Sequence, residues 1–275
     1  MTDATGASAW VRRARPLLGT FVELGVAAGG HGTEHAEQNE RTEHAMRAGF
    51  AAICEVQACL SRFEADSDIA RFHALRAGNS MALREPGRAV FDAAQELRDA
   101  SAGLFDISLG SASYGWRVEG ARLHKHDAAA RLDLGGIAKG HAVDCAVRAL
   151  QAHGCTAGWV NAGGDLRAFG GADVPVFLRD ETTGGSAQFA LLGDGAFATS
   201  HFAPGSRSRL AGAAGAGSGS GSGSGPGKCS GSTPAYASVA APLCLWADAL
   251  TKLVALSLDA RHPLLRRYDA VAWLH

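Results

Sequence analysis

The sequence predicts an α+β fold, and three observations lead there. Apolar residues recur at helical spacing from 46 to 60, 89 to 97, 137 to 150 and 246 to 257. The second half is rich in short extended runs punctuated by glycine. With 47% hydrophobic residues over 275 positions, the chain has enough apolar material to bury a full core.

Taken in order, the basic entry Arg12-Arg13-Ala14-Arg15-Pro16 closes a segment, 1–15, expected to be flexible, and a single domain is expected over 16–275. Residues 17–26 read as a strand, with Phe21 and Val22 favouring extended geometry. Residues 27–40 are glycine-rich and polar, the composition of a surface loop. From Thr42, the spacing of Met46, Phe50, Ile53, Val56 and Leu60 makes one apolar stripe on a helix that ends near Ser61. Ser67 is placed to cap a second helix, and a third runs over 89–100 until Ser101-Ala102-Gly103 ends it.

In Leu104-Phe105-Asp106-Ile107 an aspartate stands between large apolar neighbours. A buried carboxylate is costly without a donor or a cation, so Asp106 is either a cap or a ligand group. Strands are expected at 122–124 and 131–134, followed by a helix to about 153 with Ile137, Val143, Val147 and Leu150 inward. Asp144 and Arg148, four apart, fit an outward-facing ion pair. Gly163-Gly164-Asp165 reads as a tight reversal between two strands. Further strands are expected at 174–179, 186–192, 196–200, 235–241 and 270–274, with a helix at 246–257. Residues 205–233, with their Gly-Ser repeat, cannot offset their ordering entropy and are expected to form a disordered loop.

Composition narrows the function. With 26 basic and 27 acidic residues the formal net charge is −1, which gives no electrostatic case for nucleic acid or an anionic membrane surface. The six cysteines are scattered, without the Cys/His clustering that structural zinc requires. No apolar run reaches the length of a membrane span, and no basic-then-apolar leader opens the sequence, so a cytoplasmic location is expected.

Two stretches carry chemistry. In Asp133-Leu134-Gly135-Gly136-Ile137-Ala138-Lys139-Gly140, paired glycines permit close approach of an anion, the following helix start offers N–H donors, and Lys139 adds positive charge. The same order also describes an ordinary strand-to-helix turn. In the last helix, Asp248, Thr251 and Lys252 share one face. Carboxylate and hydroxyl oxygens there suit Mg²⁺, while Asp248 and Lys252 alone suit a plain i,i+4 ion pair.

Seven motifs in order, Pro16-Leu17-Leu18-Gly19-Thr20, Ser61-Arg62-Phe63, Gly103-Leu104-Phe105-Asp106, 133–140, Asn161-Ala162-Gly163-Gly164-Asp165, Ala198-Thr199-Ser200 and Ala247-Asp248-Ala249-Leu250, resemble the FAD:protein FMN transferase family. The resemblance implies a tunnelling-type α+β unit of mixed or antiparallel sheets with packed helices. It implies Mg²⁺-dependent transfer of FMN from FAD to a threonine or serine of an acceptor flavoprotein, with release of AMP. Leu18, Phe63, Leu104, Phe105, Asp106, Asp133 and Lys139 would contact FAD, Phe63 standing where the family usually has tyrosine. Gly136, Asp248 and Thr251 would hold the metal. Family relatives often work outside the cytoplasmic membrane.

Two departures accompany the match. Lys252 stands where the family has a metal-binding threonine, and an ammonium cannot ligate a cation. The family's His-x-x-(Asp)-Pro-x-(Ser/Thr)-Gly segment is replaced by the Gly/Ser run, leaving His201 as the nearest substitute base. An FAD pyrophosphatase giving FMN and AMP, and a non-catalytic flavin-binding protein, are the competing expectations.

Overall fold

The computed structural model describes residues 10–28, 35–179, 185–202 and 234–275. Seven antiparallel strands form the main sheet in the order β1-β2-β6-β7-β10-β11-β12. These are β1 (Trp10–Leu17), β2 (Thr20–Ala27), β6 (Gly158–Ala162), β7 (Asp165–Phe169), β10 (Gly195–His201), β11 (Tyr236–Ala241) and β12 (Val271–Leu274). On one face lie α1 (His35–Leu60), α4 (Ala138–Ala152) and α5 (Cys244–Ser257). The result is an α+β architecture of antiparallel sheets packed against helices.

The core follows from the period of each element. Met46, Phe50, Ile53 and Val56 of α1 and Val143, Val147 and Leu150 of α4 are buried together with Val22, Leu24 and Val26, the inward positions of β2. The opposite face of the sheet is covered by a hairpin of β8 (Val174–Arg179) and β9 (Ser186–Leu192), which brings Val174 and Val176 onto Trp159, Leu166 and Phe197. A smaller sheet, β3 (Ser80–Ala82), β5 (Arg122–Lys125) and β4 (Trp116–Glu119), completes the fold with α2 (Asp68–Ala74) and α3 (Glu85–Ala100). As expected, the Ser67 hydroxyl caps α2, accepting from the Ala70 amide at 3.0 Å.

Four local expectations are corrected. Trp10–Arg15, assigned to a flexible segment, pair with β2 as an edge strand, where Pro16 and the arginines are tolerated because only one side needs partners. Helix α1 begins at His35, seven residues before Thr42, because its first turns are polar and carry no apolar stripe. Residues 131–134 form no strand: Leu132 N donates to His73 Nε2 and Asp133 N to the Ile107 carbonyl, so their backbone partners are not a ladder. Asp144 is buried and does not pair with Arg148. It accepts from the Cys244 and Leu245 amides at 3.0 and 2.9 Å, capping α5, and from Arg167 Nη1 at 2.7 Å. The Gly/Ser run lies outside the described residues.

Candidate functional site

A cleft of about 700 Å³ opens where the β1–β2 and β6–β7 hairpins meet the starts of α4 and the flank of α5. The β1–β2 turn is two residues long, with Leu18 at φ 56° and Gly19 at φ 72°, the left-handed pair of a type I′ hairpin. A leucine rarely takes that conformation. Here the Leu18 amide is held by Gln57 Oε1 of α1 at 2.8 Å, which fixes the side chain at the cleft. Gly163 closes the second hairpin against the first: a Cβ there would stand 2.5 Å from Thr20 Oγ1, so no side chain fits.

Of the residues expected at FAD, Leu18, Phe63, Phe105, Asp106, Asp133 and Lys139 line this cleft, and Leu104 does not. Phe63 stands 83% exposed at the rim, with the Arg62 guanidinium 4.7 Å over its ring. Arg62 also donates to Asp133 Oδ2 at 3.0 Å, while Asp133 Oδ1 accepts from the Gly135 amide at 2.8 Å. Asp106 is a cap as well as a lining group: its carboxylate accepts from the Ser108 amide at 2.9 Å and from the Ser108 hydroxyl. His201, the substitute base of the sequence reading, does not line the cleft. It is exposed and stacks on Tyr236, ring centroids 4.6 Å apart.

The turn before α4 is less open to an anion than its sequence suggests. The Ala138 amide goes to the Leu134 carbonyl and the Gly140 amide to Asp248 Oδ2 at 3.2 Å. Positive charge is instead concentrated on Lys139, whose ammonium bonds Asp165 and lies 4.0 Å from Asp248 Oδ2. Burial alone would lower the Lys139 pKa, but the two carboxylates override it and hold the lysine charged well above its ordinary range. Burial, with the Asp248 charge, pushes Asp165 up, and the two lysines recover only part of that. Asp248 goes the other way: burial would raise it, yet Lys139, Lys252 and the Gly140 amide keep it below the ordinary carboxylate value.

Beneath the cleft, the implied metal ligands are brought together, and a side chain already sits among their oxygens. Lys252 Nζ lies 2.5 Å from Asp248 Oδ1, 2.8 Å from Ser200 Oγ, 3.1 Å from Thr251 Oγ1 and 3.2 Å from the Asp248 carbonyl. Gly136 faces the lysine stem, where a Cβ would be 3.1 Å from Lys252 Cε. The residues present therefore do not fit a resident Mg²⁺ at this position while Lys252 stays in place. Asp165 and Ser200 join this cluster without standing among the candidate ligands of the sequence, because Asp165 belongs to a turn and Ser200 to a strand and neither setting signals a charged cluster.

A model of the ApbE family matches residues 18–273. Among solved structures, the chain is similar to the flavin transferase ApbE from Vibrio cholerae, at 18% identity and a TM-score of 0.71, covering 97% of this chain and 93% of that one. The apo flavinyl transferase ApbE from Pseudomonas stutzeri gives 20% identity and 0.72, covering 97% and 90%. The ApbE protein from Thermotoga maritima gives 18% and 0.72, covering 97% and 94%. No curated protein matches. With nearly its whole length matched by the family model, the chain belongs to the ApbE family.

Proposed function

We propose that the protein transfers FMN from FAD to a threonine or serine of an acceptor flavoprotein and releases AMP. The observation that carries this reading is the single cleft in which Leu18, Phe63, Phe105, Asp106, Asp133 and Lys139 converge from segments far apart in the chain. Apolar surface from Leu18, Leu60, Ile69, Phe105 and Ile107 suits a planar ring system, and polar groups of the same lining suit its diphosphate.

In the reaction, the acceptor hydroxyl oxygen bonds to the FMN phosphorus as the P–O bond to AMP breaks. The hydroxyl proton passes to a base, and AMP leaves with the bridging oxygen and its negative charge. Lys139 is the group suited to that charge, because it is held protonated by Asp165 and Asp248 and stands at the start of α4. Arg62 and Asp133 fix each other at the rim and would orient the substrate. Mg²⁺, when bound in such a site, neutralises diphosphate oxygens. In this chain the side-chain oxygens implied for it, on Asp248 and Thr251, are engaged by Lys252.

The test is incubation with FAD and a threonine-containing acceptor peptide, with and without Mg²⁺, followed by mass spectrometry and nucleotide analysis. A peptide heavier by one FMN, with AMP released in equal amount, is the expected result. AMP and free FMN without peptide modification identify an FAD pyrophosphatase instead. FAD retained intact, with neither product, identifies a flavin-binding protein without catalysis.

A further inference from the structure

We infer that the Lys252 ammonium is the resident cation of this site, so that the protein binds no divalent ion there and takes up a flavin diphosphate without one. The flavin half of this statement rests on the function proposed above, whereas the cation half does not.

The cage is made of a carboxylate oxygen, two hydroxyls and a carbonyl, from Asp248, Ser200, Thr251 and again Asp248. All three residues are buried, Asp248 and Thr251 completely. Hard oxygens of this kind are what Mg²⁺ prefers, but it holds them at about 2.1 Å in a near-octahedral set. The observed 2.5 to 3.2 Å separations are those of an ammonium sharing its hydrogens among acceptors.

The protons also close around Lys252. The Thr251 hydroxyl donates to the Asp248 carbonyl at 2.7 Å, so the 2.7 Å contact between Ser200 and Thr251 is made by the Ser200 hydroxyl donating. The lone pairs left on both hydroxyl oxygens then receive Lys252. The arrangement turns oxygen lone pairs toward a positively charged occupant, and Lys252 is the one that fills it.

Charge gives the same answer. Asp248 is flanked by Lys252 on Oδ1 and Lys139 on the Oδ2 side, and Lys139 also holds Asp165. Two carboxylates therefore face two ammoniums, and the cluster is formally neutral. A divalent cation entering it would face two ammoniums without a carboxylate to spare. Gly136 contributes from the other side, since the lack of a Cβ there leaves the lane through which the lysine stem reaches the cage.

Mn²⁺ titration followed by its EPR signal, on the purified full chain, tests the cation directly. The wild-type protein is expected to leave the free Mn²⁺ signal undiminished. Lys252→Thr is expected to take up one equivalent, and Asp248→Asn added to it to release that equivalent. One equivalent bound by the wild-type chain and lost in Asp248→Asn overturns the inference. So does a Lys252→Thr variant that is folded by circular dichroism and still binds none. The wild-type arm decides even where Lys252→Thr fails to fold. FAD affinity of the wild type, read by flavin fluorescence, is expected to agree within about twofold in EDTA and in Mg²⁺. Tenfold tightening by Mg²⁺ overturns the inference. Absence of FAD binding in both buffers overturns the flavin reading of the cleft and leaves the Mn²⁺ result to decide the cation.

Discussion

The Gly140 amide donates to Asp248 Oδ2 across the crossing of α4 and α5, so the carboxylate under the cleft is positioned by the backbone of a neighbouring helix. That contact exists because residue 140 has no side chain. A Cβ would stand 2.2 Å from the Cys244 carbonyl oxygen and 2.9 Å from Asp248 Cβ.

Gly140→Ala is therefore expected to push the helices apart. Overpacking against backbone, which cannot rotate away, costs about 3 kcal/mol. Urea unfolding should show a lower midpoint with an unchanged slope.

Asp144→Ala removes the cap of α5 and leaves Arg167 without its carboxylate. Breaking a buried pair on one side costs about 3 to 5 kcal/mol. The same unfolding measurement checks it, and Arg148→Ala, on the exposed side of α4, should change the midpoint little.

Lys139→Met is expected to lower FMN transfer about 100-fold, the scale on which one preorganised electrostatic group acts in a transition state. Single-turnover kinetics at saturating FAD separate this from weakened binding. Arg62→Ala, by contrast, should raise the FAD concentration needed for half-maximal rate more than it lowers the limiting rate, because Arg62 is a rim group bonded to Asp133.

The charge cluster also sets a dependence of stability on pH. Asp248 titrates lower folded than unfolded, so its contribution is present above the unfolded carboxylate value of about 4 and lost as pH falls through the folded one. Lys139 titrates higher when folded, so its contribution is full below about pH 10 and fades only above that. Asp165, raised, has the opposite sign to Asp248: its shift favours the fold at low pH and costs stability once it ionises. Asp248→Asn should therefore lose more stability at pH 7 than at pH 3, and Asp165→Asn more at pH 3 than at pH 7, as read from denaturant midpoints at the two pH values.

How much of this was legible in the sequence depended on the range of the interactions. The stripe from Met46 to Leu60 locates α1, because burial there follows a local period. Its first turns were missed because a polar helix start has the composition of a loop. Asp144 shows the limit: its nearest charged neighbour in sequence is Arg148, but its partners are Arg167 and the amides of residues 244 and 245, and no local spacing encodes those. The candidate site was legible as a set of motifs: Asp133 and Lys139 line one cleft, and Asp248 lies 4.0 Å from Lys139. What the motifs did not reveal is that Lys252 folds back onto Asp248, Thr251 and Ser200, because a helical wheel gives the face of a side chain and not the end point of four rotatable bonds.

The cleft draws its lining from Leu18 near one end to Leu256 near the other, with the floor supplied by α5. During synthesis, a nascent chain still short of α5 has β1, β2 and α4 but no Asp248 for Gly140 to hold and no counter-charge beyond Asp165 for Lys139. Long-range closure of this kind comes late and slowly in folding. Under the proposed function, flavin capture is thus a property of the finished fold, and truncated or stalled translation products would be blind to the nucleotide.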